Sequence, residues 1–142
     1  DTTIAWCKAN IPGVEFSVNG LMPPLDYPDG CFDAVYCVSV FTHLSKPVQV
    51  AWLKEIVRVL KRGGVFLMTM HGDSCIDRLT DDETRAYRDA GCVVRGEVAE
   101  GGRVYTAYNS PEYMRNVFLK GLRILEFISG GTNAQDVWIV GT

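Results

Sequence analysis

The stretch FDAVYCVSVFTHLSKPVQVAWLKEIVRVLKRGGVFLMTMHG, residues 32–72, decides the fold. It opens with FDAVYCVSV (32–40), a Val-rich and almost continuous apolar run of the kind expected for a strand covered on both faces of a parallel sheet. After the FTHLSKP turn, Val50, Leu53, Ile56, Val57 and Leu60 recur at helical spacing, and Lys54, Glu55, Arg58 and Lys61 fall largely off that stripe. Pro47 suits a first helical turn, and Gly63-Gly64 suits the helix stop. VFLMTM (65–70) reads as a second buried strand. Strand, helix and strand in that order form a βαβ unit, so the two strands are expected to be parallel neighbours joined by a right-handed crossover.

Upstream, residues 2–10 read as the tail of a helix broken by Ile-Pro-Gly (11–13). VEFSV (14–18) alternates as a strand does, and residues 19–30 form a loop rich in Pro and Gly. Downstream, Thr80 and Glu83 have the spacing of a capping box opening a charged surface helix. CVVRGEVAEGGRVYTAY (92–108) suggests extended segments around a Gly-Gly turn. Ser110 and Pro111 mark the cap and first position of another helix. LRILEFI and DVWIV close the chain as two strands joined by SGGTNAQ. Repeats, low-complexity tracts and linkers are absent from these 142 residues, which bounds them at one domain.

Composition narrows the function. Apolar residues make up 47%, charged residues 22%, and the net charge is −3. That balance gives no electrostatic reason for a nucleic-acid or anionic-membrane partner. No apolar run approaches the roughly 20 residues that span a bilayer, and the first ten residues do not read as a signal peptide. Cys7, Cys31, Cys37, Cys75 and Cys92 form no C-x-x-C pair, which suits reduced thiols in a cytoplasmic protein. A zinc site would need closer cysteine pairs or more histidines than His43 and His71, so no metal is expected. Hydrolase nucleophile motifs and a phosphate-binding Walker loop are likewise absent.

In motif order, VEFSVN, then DG-x-FD-AVYCVSVFTHL, then LKEIVRVLKRGGVFLMTMHG, the chain resembles the second half of a class I S-adenosylmethionine-dependent methyltransferase of the type 11/12 group. The resemblance covers about residues 3–72, and SPEY…GLRILEF…QDVWIV fits the last two strands of that fold. It implies an incomplete Rossmann-like α/β fold, a mostly parallel sheet with an antiparallel last strand, and S-adenosylmethionine as cofactor. The family's glycine-rich loop, E/D-x-G-x-G-x-G, does not occur here. Counting back from VEFSV sets the ribose-binding acid immediately before Asp1, so Asp1 is not taken for that acid. The resemblance therefore implies an N-terminally truncated domain. Without its two preceding strands, VEFSV would lose its neighbours and the sheet would gain an apolar edge.

The resemblance also assigns residues. Asn19 and Gly20 match the positions that meet the adenine amino group and ring nitrogen; Asn in place of the usual Asp keeps a carbonyl acceptor. Cys37, Val38 and Ser39 match the strand end that touches the cofactor's amino-acid portion, where open α/β sheets bind ligands. His43 and His71 are the candidate proton acceptors, near-neutral titration suiting an imidazole to that task. Tyr36, Tyr105 and Tyr108 have a weaker claim to the acceptor pocket. Asp33 and the Thr80–Glu83 cluster read as structural. The expected reaction is methyl transfer to a small or medium-sized acceptor with an O, N or C nucleophile. The alternative from another class is an inactive α/β fragment that self-associates or exchanges strands. A nicotinamide-dependent oxidoreductase shares the fold class but lacks its glycine fingerprint.

Overall fold

The computed structural model describes residues 2–142; Asp1 lies outside the described residues. The elements in chain order are α1 (Thr2–Asn10), β1 (Phe32–Cys37), α2 (Lys46–Val59), β2 (Leu60–Met70), α3 (Asp81–Ala90), β3 (Cys92–Arg95), β4 (Thr106–Asn109), α4 (Pro111–Tyr113), β5 (Arg123–Thr132) and β6 (Gln135–Gly141). Short 3₁₀ turns cover Phe41–His43 and Asp73–Arg78, and one turn of π-helix, Met114–Phe118, continues α4.

The βαβ unit forms as the sequence predicts: β1 and β2 are parallel neighbours flanking α2. Among the described residues the main sheet has the order β1-β2-β6-β5, and β3-β4 make a separate antiparallel pair. The main sheet is mixed, which corrects the expectation of a mostly parallel one. β6 runs antiparallel to both its neighbours, β2 and β5, because it returns from β5 through a tight turn at Asn133-Ala134 and inserts beside β2. Both turn residues have positive φ, 52° and 58°, as a type I′ hairpin requires.

Alternation along the register splits the sheet into two unlike faces. Val35, Phe66 and Val140 align on one face, as do Cys37, Met68 and Trp138. With Leu53 and Ile56 of α2, and Met114, Phe118 and Leu119, these residues build the core. Tyr36, Leu67 and Ile139 share the other face, where Tyr36 is 78% exposed. The prediction that β1 is covered on both faces is therefore corrected. α1 contributes no buried residue, so it does not cover that second face.

Three further expectations change. VEFSV (14–18) forms no strand, and Val14 and Val18 are exposed. Alternation supplies a pattern, but a strand is stabilised by ladder bonds and cross-strand pairs, and this segment pairs with no strand among the described residues. Helix α2 stops at Val59 rather than at the glycine pair, because the backbone there turns to meet Gly30 and Cys31. Gly63-Gly64 instead sits in a bulge within β2, where a Cβ on Gly64 would lie 2.8 Å from the Lys61 carbonyl. The buried face of α2 also runs through Val48, Gln49 and Glu55, whereas Val50 is exposed.

Helix α3 opens with the predicted capping box: the Thr80 hydroxyl accepts from Glu83 N, and the Glu83 carboxylate accepts from Thr80 N. Arg95 of β3 donates to both Glu83 oxygens at 2.7 Å. The hydrogen bonds from Arg95, then the Thr80 backbone, hold the Glu83 carboxyl down to about 2. A carboxyl depressed in the fold stabilises it fully above the unfolded value near ~4.3, and that contribution is lost as pH falls through the folded value. The wild-type melting temperature should therefore fall more steeply between roughly pH 4.5 and 2 than that of Glu83→Gln. Calorimetric melts of both proteins across that range would measure the difference, and parallel curves would refute it.

Candidate functional site

A cavity of about 420 Å³ opens beside the C-terminal half of β1. Val35 and Cys37 of β1, Phe41 of the following turn and Trp52 and Ile56 of α2 form apolar walls. The segment Asn19–Leu25 closes another side, and Gly101, from the long β3–β4 connection, completes the lining.

α2 holds that segment in place through three side chains. Trp52 Nε1 donates to the Leu21 carbonyl at 2.7 Å. Glu55 Oε1 accepts from Leu25 N at 2.7 Å. Arg58 donates to the Tyr27 carbonyl at 2.9 Å, to Asp29 Oδ1 at 2.6 Å and to Glu55 at 2.6 Å. The guanidinium of Arg58 is the main cause that keeps the Glu55 carboxyl below its ordinary range. Trp52, Glu55 and Arg58 occur one helical turn apart, a spacing that puts them on one side of α2. The sequence reading set Glu55 and Arg58 largely off the apolar stripe and gave Trp52 no role. Their i, i+3 spacing opposite a loop rich in Pro and Gly was the available signal.

Of the residues singled out from the sequence, Asn19, Gly20 and Cys37 meet at this cavity. Asn19 Nδ2 donates to the Gly20 carbonyl at 2.9 Å, which engages the donor end of its amide. Burial pushes the Cys37 thiol up to about 11, so it is a neutral wall and not a thiolate. Val38 follows β1 with its side chain exposed and lies off the lining.

Ser39 belongs to a polar network instead. Its backbone, at φ 55°, is left-handed, and its N–H donates to Thr69 Oγ1 at 2.8 Å. Gln135 Nε2 donates to Ser39 Oγ at 2.9 Å, and Thr69 Oγ1 donates to Gln135 Oε1 at 2.5 Å. These bonds engage the N–H and the hydroxyl oxygen of Ser39 and fix a conformation that a non-glycine residue adopts only at a cost of about 1–3 kcal/mol.

His71 ends the same network. Its Nδ1 lies 3.2 Å from the Ala107 carbonyl and must donate to it, leaving Nε2 as the acceptor beside Gln135 Nε2 at 3.4 Å. Burial is the main cause that lowers its basicity, favouring the neutral ring. The chain turns after His71 at Gly72, which has an ordinary negative φ of −118°. Glycine is required there because a Cβ would sit 1.8 Å from Asp136 Oδ2. Asp136 is fully buried and accepts through Oδ1 from Gly130 N, Ser74 Oγ and Ser129 Oγ.

His43, half-buried after β1, places Nδ1 2.8 Å from the Tyr105 carbonyl, and its own carbonyl accepts from Gly101 N at 2.9 Å. Both histidines thus engage the backbone of the β3–β4 region and lie off the cavity lining. Tyr105 and Tyr108 are core residues, and Tyr36 projects from the open sheet face.

The carboxylate clasp on α2 generates a prediction. Glu55→Ala should free the Leu25 amide and speed hydrogen exchange across residues 19–30, while amides of β2 keep their protection. Exchange read by mass spectrometry would check this, and unchanged rates over 19–30 would assign the hold on that segment to Trp52 and Arg58.

The comparisons with known proteins can be set beside this geometry. Residues 1–68 match the methyltransferase domain family. A 49-residue stretch is 47% identical to a sterol 24-C-methyltransferase of Yarrowia lipolytica, covering 34% of this chain and 12% of that protein. The fold matches a SAM-dependent methyltransferase of Methanosarcina mazei with a TM-score of 0.66 at 18% identity, over 97% of this chain and 75% of that one. It also matches a chain of the complex between the Haloferax volcanii Trm112 methyltransferase activator and a methyltransferase. There the TM-score is 0.61 at 16% identity, over 98% of this chain and 66% of that one. Similarity to methyltransferases thus runs by sequence across residues 1–68 and by fold along nearly the whole chain.

Proposed function

We propose that the chain serves S-adenosylmethionine-dependent methyl transfer to a small or medium-sized acceptor, and that the cavity beside β1 takes the cofactor's adenine. The observation that carries this reading is the convergence of Asn19, Gly20 and Cys37, separate in sequence, on one apolar slot. The donor set fits a purine. Val35, Cys37, Trp52 and Ile56 offer apolar walls, while the Asn19 amide oxygen and the Gly20 N–H offer an acceptor and a donor for its edge. When bound, the cofactor supplies a methyl group already activated on a sulfonium. The protein then contributes alignment and exclusion of water.

His43 is the better placed of the two proposed proton acceptors. Its Nδ1 is fixed as the protonated nitrogen by the Tyr105 carbonyl, so Nε2 carries the lone pair; both nitrogens of His71 have partners. A base is needed only where the acceptor is a hydroxyl or a protonated amine.

The main sheet is proposed to continue beyond β1, through strands outside these 142 residues that carry the glycine-rich loop. Supporting this are the outer edge of β1, unpaired among the described residues, and the uncovered face bearing Tyr36. All five cysteines are free thiols, which favours a reducing, cytoplasmic setting. No helix among the described residues is long and apolar enough to cross a membrane.

Calorimetric titration of S-adenosylhomocysteine into the chain, with light scattering to record its oligomeric state, tests the reading. Binding is expected, and Asn19→Ala should weaken it about fivefold, the effect of one lost hydrogen bond of ~1 kcal/mol. A folded chain that binds nothing would remove the cofactor site from these residues.

A further inference from the structure

The connection between β3 and β4, residues 96–105, has a firm base and a lightly held tip. At the base, Tyr105, Ala107, Tyr108 and Asn109 are buried. Asn109 N donates to the His71 carbonyl at 2.8 Å, and Asn109 Nδ2 donates to buried Gln49 at 3.0 Å. The tip is different: residues 101–104 are exposed, and Val104 is 73% exposed.

That tip nevertheless crosses to the cavity. Glu100 Oε1 accepts from the Ser45 N–H at 2.5 Å, at the N-cap of α2, where the helix dipole favours a carboxylate. The adjacent Gly101 donates its N–H to the His43 carbonyl and lines the cavity. Gly101 has φ 83°, and a Cβ there would come within 3.3 Å of Leu21 Cδ1, on the opposite segment. Gly101 thus faces the same cavity as Leu21, Asn19 and Gly20.

We infer that residues 96–105 form a hinged strap that closes one wall of the cavity, latched by Glu100 on the Ser45 N–H and by Gly101 on the His43 carbonyl. The buried base, with the Tyr105 carbonyl held by His43 Nδ1, is the fixed end and the exposed tip the moving one. Among the described residues, opening of the tip breaks the Ser45 and Gly101 N–H bonds and leaves the core side chains of the base in place. Ligand entry and exit then require the latch to release. The strap inference rests on the cofactor reading only for what the cavity holds; the gating itself stands on geometry.

Labelling with N-ethylmaleimide tests it, with each cysteine followed by peptide mass spectrometry. Cys37 shares the cavity with Gly101, whereas fully buried Cys75 reports opening of the core. In Glu100→Ala, Cys37 should label roughly tenfold faster, the scale expected for losing a hydrogen bond to a charged group, with Cys75 unchanged. Arg103→Ala, on the strap but outside the latch, should label as wild type. Hydrogen exchange should show the Ser45 and Gly101 amides exposed together in Glu100→Ala.

An unchanged Cys37 rate would overturn the strap. A parallel rise at Cys75 would overturn it too, because residues 96–105 would then belong to the cooperative core. Saturating S-adenosylhomocysteine should slow Cys37 labelling in the wild type. If it does not, while Glu100→Ala still speeds labelling, the cofactor reading fails and the strap stands.

Discussion

The structure depends on the packing of α2 against the inner face of β1, β2 and β6. Leu53 and Ile56 meet Phe66 and Met68 across the crossover, and the rest of the core gathers around them. The same helix carries Trp52, Glu55 and Arg58, which hold the segment ending in Leu25 and Asp29 over the cavity. One element therefore supplies both the hydrophobic contact that stabilises the sheet and the polar contacts that shape the site. Its own N-terminus at Ser45 is where the β3–β4 connection attaches.

The sheet is finished on one side and open on the other. Its inner face is closely packed along β2 and β6, with Met68, Phe66 and Trp138 at most 1% exposed, and opens to the cavity at Val35 and Cys37 of β1. The outer face and the outer edge of β1 present Tyr36 and neighbours to solvent. Apolar residues exposed along residues 6–22, Trp6, Ile11, Val14, Val18, Leu21 and Met22, add to that surface. The exposed face of β1 contributes little burial energy, because the hydrophobic contribution scales with area removed from water. A second, smaller cluster of Cys75, Tyr87, Val93 and Tyr108 adds to the main core.

The elements legible in the sequence are those whose signal is local. The crossover was readable because residues 32–70 change periodicity twice within one segment. The Thr80 and Ser110 caps were readable because each is a side chain bonding its own helix's backbone. VEFSV carried a correct alternation and still made no strand, since pairing is a property of two segments. The place of β6 between β2 and β5 was likewise beyond local reading. At the site, Asn19 and Gly20 line the cavity with Cys37 although the segment before them forms no strand. The bonding of Ser39 to Gln135, and of both histidines to the β3–β4 backbone, joins residues far apart in sequence that no spacing announces.

Gly72 and Asp136 illustrate a constraint of another kind. The carboxylate of Asp136 occupies the volume that any side chain at position 72 would fill, and it organises the β5–β6 turn through Gly130 and Ser129. Neither position can change freely on its own. A larger residue at 72 would evict the carboxylate, and a longer acid at 136 would collide with the backbone after β2. The two positions are therefore sterically coupled, a constraint that ties the end of β2 to the β5–β6 hairpin, away from the cavity.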